Sequence, residues 1–174
     1  MVTNPKSKYA IRIGKKKVFD CLLFFYHRKI DKSLEELAKK YNEGQKIIEI
    51  GTGTKAPTHK LLFSKSQFIA TDIEKYQGID EILDITQPGA LAVESFDLVL
   101  CLNVLEHIPD PERAINEMYQ SLKTGGELLL VTPFLFPIHD PPHDFYRYTE
   151  YGLAKILNGF SEISVKKINL LTKL

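Results

Sequence analysis

Two stretches of this chain carry residue types and spacing suited to chemistry. In the first, Glu49-Ile50 runs into Gly51-Thr52-Gly53-Thr54, and an acid, Asp72, follows about twenty residues on. Glycines there permit a tight turn and close approach of backbone to a ligand, and a carboxylate at that distance can accept hydrogen bonds from both hydroxyls of a ribose. The second stretch is Phe134 to Tyr148, which holds His139, Asp140, His143, Asp144 and Arg147 among three prolines, Pro137, Pro141 and Pro142. Histidine titrates near neutral pH, so His139 or His143 can take a proton, with Asp140 or Asp144 orienting the ring. The same residues also read as a clamp, in which His143, Asp144, Arg147 and Tyr148 only shape the loop.

These residues need a scaffold that brings them together, and the apolar pattern supplies one. Short apolar runs at Ile47–Ile50, Phe68–Thr71, Glu81–Leu83, Phe96–Cys101 and Glu127–Thr132 alternate with helical segments, which predicts a parallel sheet covered by helices. Before the first run, Ser33 and Glu36 form a capping box, and Leu34, Leu37, Ala38 and Tyr41 share one helical face. Asp110 and Pro111 start a helix that is lined by Ile115, Met118, Tyr119 and Leu122 and ends at Gly125-Gly126. Another starts at Thr149 and buries Leu153, Ile156 and Leu157. Residues 163–168 read as a sixth strand, and residues 1–15 as a loosely ordered arm.

Bulk properties narrow the function. A chain of 174 residues with 44% hydrophobic content supports one ordinary domain. Its formal charge of +1 and scattered basic residues leave no footprint for nucleic acid. Two cysteines, Cys21 and Cys101, fit neither a disulfide scaffold nor a structural zinc site, and both are expected to be reduced and buried. Val18–Tyr26 follows three lysines but is too short for a bilayer, so it reads as a core-packing amphipathic helix, with a membrane- or partner-touching surface as the other reading. A soluble, cytoplasmic protein with no membrane partner is expected.

Gly51, Gly53 and Ala56 followed by Asp72 also fit a dinucleotide site for NAD. Pro57, in the first turn of the next helix, and the lack of a substrate domain weigh against it. Beyond the loop, Ile48–Lys55, Ala70-Thr71-Asp72-Ile73, Ser95–Pro109 and Leu122–Leu128 into Thr132-Pro133-Phe134 together resemble the successive motifs of the type 11 class I S-adenosylmethionine (SAM)-dependent methyltransferases. The resemblance covers roughly residues 45–160 and departs at Lys55, where a third glycine is common.

What it implies is a Rossmann-like, doubly wound, mostly parallel α/β sheet with helices on both faces and a C-terminal strand hairpin that is shortened or incomplete. Residues 1–44 would cap the active site and residues 45–174 form the core. The cofactor would be SAM. Glu49 would sit by its methionine part, with Gly51, Thr52 and Gly53 against the backbone, and Asp72 on the ribose. Asp84 would face the adenine amino group between Ile73 and Ile85, and Asn103 and Val104 would line the floor. His139, His143 and Asp144 are the catalytic candidates. Some related quinone-pathway O-methyltransferases bind a metal near Glu106-His107, but Asn103 replaces one acid and no metal is assigned.

The activity so implied is methyl transfer (EC 2.1.1.-) to a small-molecule or glycan-type acceptor, at oxygen. The alternatives are an NAD-dependent oxidoreductase and a non-catalytic SAM-binding or partner-binding module. Self-association through the C-terminal sheet edge is expected.

Overall fold

The computed structural model describes the backbone of residues 5–168 and the side chains from Leu23 to Ile168. Helix α1 (Pro5–Lys40) opens the chain and precedes β1 (Lys46–Ile50), α2 (Ala56–Leu62), β2 (Gln67–Asp72) and β3 (Glu81–Ile82). Then come β4 (Phe96–Leu102), α3 (Pro111–Ser121), β5 (Leu122–Val131) and α4 (Glu150–Ile156). The described residues fall into two compact units, one of them running from Leu37 to Val165 and the other holding the chain up to Glu36 with the residues from Lys166.

The larger unit is an all-parallel, five-stranded sheet in the order β3-β2-β1-β4-β5. Strand direction of side chains alternates, so the sheet supports a core on each face. Ile48, Ile50, Val99 and Cys101 join Ala114, Ile115 and Met118 of α3 in the main cluster, against which Ile156, Leu157 and Phe160 pack. On the other face Ala70 meets Ala56 of α2 and Ile79. The order reverses between β1 and β4, and open sheets of this kind bind ligands at such a switch point, outside the carboxyl ends of the strands.

Several local expectations hold. Asp110 accepts from Arg113 N at 3.1 Å and caps α3, with Pro111 in the first turn. Thr149 accepts from Gly152 N at 3.0 Å and caps α4. Leu34, Ala38 and Tyr41 are buried.

Others are corrected. The N-terminal segment is helical from Pro5, not a loose arm, and α1 continues through Ser33, whose hydroxyl donates back to Lys29 O at 3.1 Å instead of capping a new helix. Phe24 and Phe25 are more than half exposed, so Val18–Tyr26 does not bury all its apolar side chains, and Cys21 lies outside the described side chains. Helix α3 ends at Ser121, before Gly125-Gly126, because Leu122 already pairs with Phe96; the glycines turn the chain within β5. Tyr119 is half exposed, and Leu153, Ile156 and Leu157 are only partly buried. No sixth strand forms over residues 163–168: Ile163 and Val165 alternate as a strand would, but both stay over a third exposed and the backbone joins no ladder. Among the described residues β5 is therefore an edge, and residues 169–174 lie outside them. No helix of the described residues is long and apolar enough to cross a membrane.

Candidate functional site

Strand β1 ends where Gly51 takes φ +66° and Gly53 φ +57°, a conformation that L side chains rarely adopt. Gly51 also lacks room. A Cβ there would lie 2.5 Å from Cγ2 of Val104, so the turn after β1 is pressed directly against the turn after β4. Asn103 makes that second turn in the left-handed region (φ 55°), with its N–H donating to Val131 O at 2.8 Å. The next strand delivers Asp72, whose Oδ2 accepts from Gly53 N at 2.9 Å and Oδ1 from Glu74 N at 3.0 Å. Gly51, Gly53, Asp72, Asn103 and Val104 thus gather at the carboxyl ends of three adjacent strands.

Two adenine-side candidates behave differently. Ile73 is 66% exposed and free to cover a ring. Ile85 is not: it belongs to the main core cluster, because the chain after β3 turns back under the sheet. Asp84 accepts from Thr86 N, Thr86 Oγ1 and Gln87 Nε2 at 2.9, 2.6 and 2.8 Å, and these bonds hold its carboxyl below the usual range. It shapes a turn at the site's edge.

Glu49 is 2% exposed beneath the glycine turn. Its carbonyl accepts the hydroxyls of Thr52 (3.2 Å) and Thr71 (2.8 Å), and its Oε2 lies 2.7 Å from Nδ1 of His59 on α2. Burial pushes its carboxyl up, and the His59 bond opposes that. His59 was not singled out from sequence; its place three residues after Ala56, on the buried face of a short helix, is the signal that was available.

The loop after β5 folds back over the turn after β4. Phe145 N and Tyr146 N donate to Glu106 O at 2.9 and 3.2 Å, and Tyr146 OH donates to Pro109 O at 3.1 Å. Asp144 takes a two-pronged bond from Arg147 (2.6 and 2.8 Å), which holds its carboxyl far below the usual range, and Arg147 also reaches the Phe136 and Pro137 carbonyls. The clamp reading is therefore realised in Asp144 and Arg147. Asp144 Oδ2 also accepts from His139 N at 2.9 Å and lies 3.3 Å from His139 Nδ1, which hydrogen-bonds to Pro137 O at 3.2 Å, so carboxylate and carbonyl together face the ring nitrogen. His143 contributes backbone, its carbonyl accepting from His107 Nδ1 at 2.6 Å and its N–H donating to Asp140 O at 2.9 Å.

Beneath this loop lies Glu106, fully buried, with neither carboxylate oxygen hydrogen-bonded. Burial pushes its pKa up to about 7. The rings of His107 and His139 meet edge to face at 4.7 Å, and Glu106, His107 and His139 each offer a ligand atom within 4.8 Å of the others. That spacing and donor set fit a divalent cation of the zinc or iron kind; from sequence Glu106-His107 was weighed for a metal without one being assigned, and His139 was not part of it because it reaches Glu106 only through the fold.

A parallel sheet with a glycine turn after β1, an acid after β2 and a polar cluster over β4 and β5 defines an α/β protein that binds a nucleotide-bearing cofactor. A family model described as a methyltransferase domain matches residues 23–161, and the chain belongs to that family of class I SAM-dependent methyltransferases. Membership removes the nicotinamide oxidoreductase reading. Pro57, which had weighed against NAD, proves uninformative, since it sits in the first turn of α2 where its missing N–H costs nothing.

Among curated proteins, the chain is similar to a ubiquinone/menaquinone biosynthesis C-methyltransferase of Haemophilus ducreyi, 27% identical over 158 residues, 80% of this chain and 60% of that protein. It is also similar to a ubiquinone biosynthesis O-methyltransferase of Pseudomonas entomophila, 39% identical over 61 residues, 35% of this chain and 24% of that protein. The chain thus spans less than two thirds of either relative. Among solved structures, a methyltransferase of Bacillus halodurans superposes with a TM-score of 0.60 at 20% identity, over 74% of this chain and 66% of that one. Haemonchus contortus phosphoethanolamine N-methyltransferase 2, in complex with SAM, gives 0.57 at 15% identity, over 74% of this chain and 36% of that one. At these identities the structures share the fold.

Proposed function

We propose that this chain carries out SAM-dependent methyl transfer to the oxygen of a small, largely apolar acceptor, with His139 as the base. The observation that carries the reading is the convergence of Gly51, Gly53, Asp72 and Val104 at the switch point, together with a histidine on the loop after β5 whose Nδ1 faces a clamped carboxylate and the Pro137 carbonyl. When bound, SAM supplies an electrophilic methyl on a sulfonium. The protein's part is to align that group with the acceptor and exclude water.

In this reading Gly51 and Gly53 admit the cofactor's backbone-side edge, Asp72 takes the ribose hydroxyls with its remaining lone pairs, and Ile73 covers the adenine. Glu49 supplies negative charge beneath the methionine end. Nε2 of His139 would take the proton of the acceptor hydroxyl as that oxygen is methylated, the sulfonium of bound SAM supplying the methyl group and leaving as a neutral thioether. Nδ1 of His139 faces Asp144, which stabilises the ring as it becomes cationic. Phe134, Leu135 and Ile138 stand exposed on the same loop, which favours an apolar or phenolic acceptor over a glycan.

A second reading of the Glu106 cluster is favoured by its spacing. A divalent cation would be held by Glu106, His107 and His139, with the His143 carbonyl fixing the His107 tautomer, and would polarise the acceptor oxygen. The test of the main reading is calorimetric titration with S-adenosylhomocysteine and with NAD, followed by transfer from methyl-labelled SAM to phenolic, aliphatic and glycan hydroxyls. Binding of the first ligand alone and label on a phenol are expected. No binding of S-adenosylhomocysteine overturns the proposal.

A further inference from the structure

Strand β1 puts Ile48 and Ile50 into the main core and turns Glu49 to the opposite face, toward α2. That helix has only two buried residues, Ala56 and His59. Ala56 packs on Ala70 and Ile79. His59, 7% exposed, puts an imidazole where an apolar side chain would complete the packing, and its Nδ1 lies 2.7 Å from Glu49 Oε2. The helix holds His59 firmly, since its carbonyl accepts Phe63 N at 3.0 Å and ends the helix.

The hydroxyls of Thr52 and Thr71 hold the carbonyl of Glu49, and the Thr52 hydroxyl also assists its carboxylate, but the stronger partner of that carboxylate is His59 on α2. A buried carboxylate that lost this bond would swing or take up a proton, and its charge beneath the glycine turn would go with it.

We propose that His59 is a positioning residue for the methionine end of the cofactor, acting by holding the Glu49 carboxylate in place under the Gly51–Gly53 turn. This rests on the placement of Glu49 beside that end of the cofactor. It concerns only the amino-acid end, so the adenosine end is held by other groups, among them Asp72.

That division supplies the experiment. S-adenosylhomocysteine carries both ends, whereas 5′-methylthioadenosine lacks the amino acid. Both are titrated into the parent chain and into His59→Leu, His59→Asn, His59→Gln and Glu49→Gln, after thermal unfolding has shown which variants fold. Asparagine offers an amide N–H where Nδ1 stands; glutamine offers it one bond too far.

Losing a hydrogen bond to a charged group predicts that His59→Leu and His59→Gln bind S-adenosylhomocysteine about tenfold or more weakly. His59→Asn stays within about threefold of the parent, and methylthioadenosine affinity changes less than about twofold throughout. Should His59→Leu fail to fold, the Gln and Asn pair decides the matter. Parental affinity in His59→Gln, or equal losses for both ligands, overturns the proposal. Glu49→Gln separates the two layers: if it weakens S-adenosylhomocysteine while the His59 variants do not, only the His59 inference fails. If Glu49→Gln has no effect, the placement of Glu49 fails and takes the inference with it.

Discussion

Replacing Glu106 by glutamine keeps the shape of the side chain and removes its charge, and the structure sets the size of the effect. Both carboxylate oxygens are buried without a hydrogen bond, and burial lifts the pKa from an ordinary 4.5 to about 7. At about 1.4 kcal/mol for each tenfold change in proton affinity, ionising this group in the folded chain costs about 3 kcal/mol relative to the unfolded chain. A raised folded-state pKa means that the folded form binds the proton more tightly. The parent therefore has its full stability below pH 4.5, loses it steadily as pH rises to about 7, and loses little more above that. Glutamine does not titrate. Urea unfolding of parent and Glu106→Gln at pH 5, 6, 7 and 8 should show the difference shifting toward the variant by about 3 kcal/mol in total, nearly all of it by pH 7.5. A buried amide has its own cost, but that cost is independent of pH and leaves the slope intact. Parallel pH profiles would refute the account of Glu106 as a buried acid without hydrogen bonds, its nearest charge partner being His107 Nε2 at 3.9 Å. If zinc or manganese stabilises the parent at pH 8 and leaves Glu106→Gln unmoved, the cluster compensates its charge with a metal rather than a proton.

Gly51→Ala should fold less stably and bind S-adenosylhomocysteine at least about tenfold more weakly, since the added methyl meets Val104 at 2.5 Å and the left-handed backbone adds about 1 kcal/mol. The double variant with Val104→Ala should regain stability, measured by thermal unfolding; no regain would mean that the clash is not the cause. Asp144→Asn should lower turnover about tenfold or more while leaving S-adenosylhomocysteine affinity within about twofold, because it releases both Arg147 and the His139 ring. Equal losses in turnover and affinity would instead make the loop part of the cofactor site.

The proposal of His139 over His143 as the base rests on geometry that sequence does not carry. His139 and His143 were equivalent as sequence, each followed by an aspartate, yet Asp140 follows His139 without orienting it and Asp144 follows His143 but faces His139. Nearest neighbour in sequence was the wrong guide because the turn at Asp140, with φ 49°, reverses the chain and carries Asp144 back. Ser33 and Glu36 show the converse: a capping box is a local motif, but a helix already in progress overrides it, and the serine satisfies itself on Lys29 O. The sixth strand failed for a related reason. Alternation at Ile163 and Val165 expresses a preference for extended chain, and a strand exists only where an edge receives it.

Sequence alone determined whatever is written within a turn or two of chain. It set the apolar runs of β1, β2 and β4, the caps at Asp110 and Thr149, the glycine turn after Ile50 and the acid at Asp72, because propensity, capping and backbone freedom act over about four residues. Tertiary structure alone decided which side chains meet: His59 beneath Glu49, Val104 against Gly51, and His139 over Glu106. Those pairs depend on strand order and on how a loop closes, and a buried carboxylate's proton affinity depends on who stands beside it, which no spacing along the chain records.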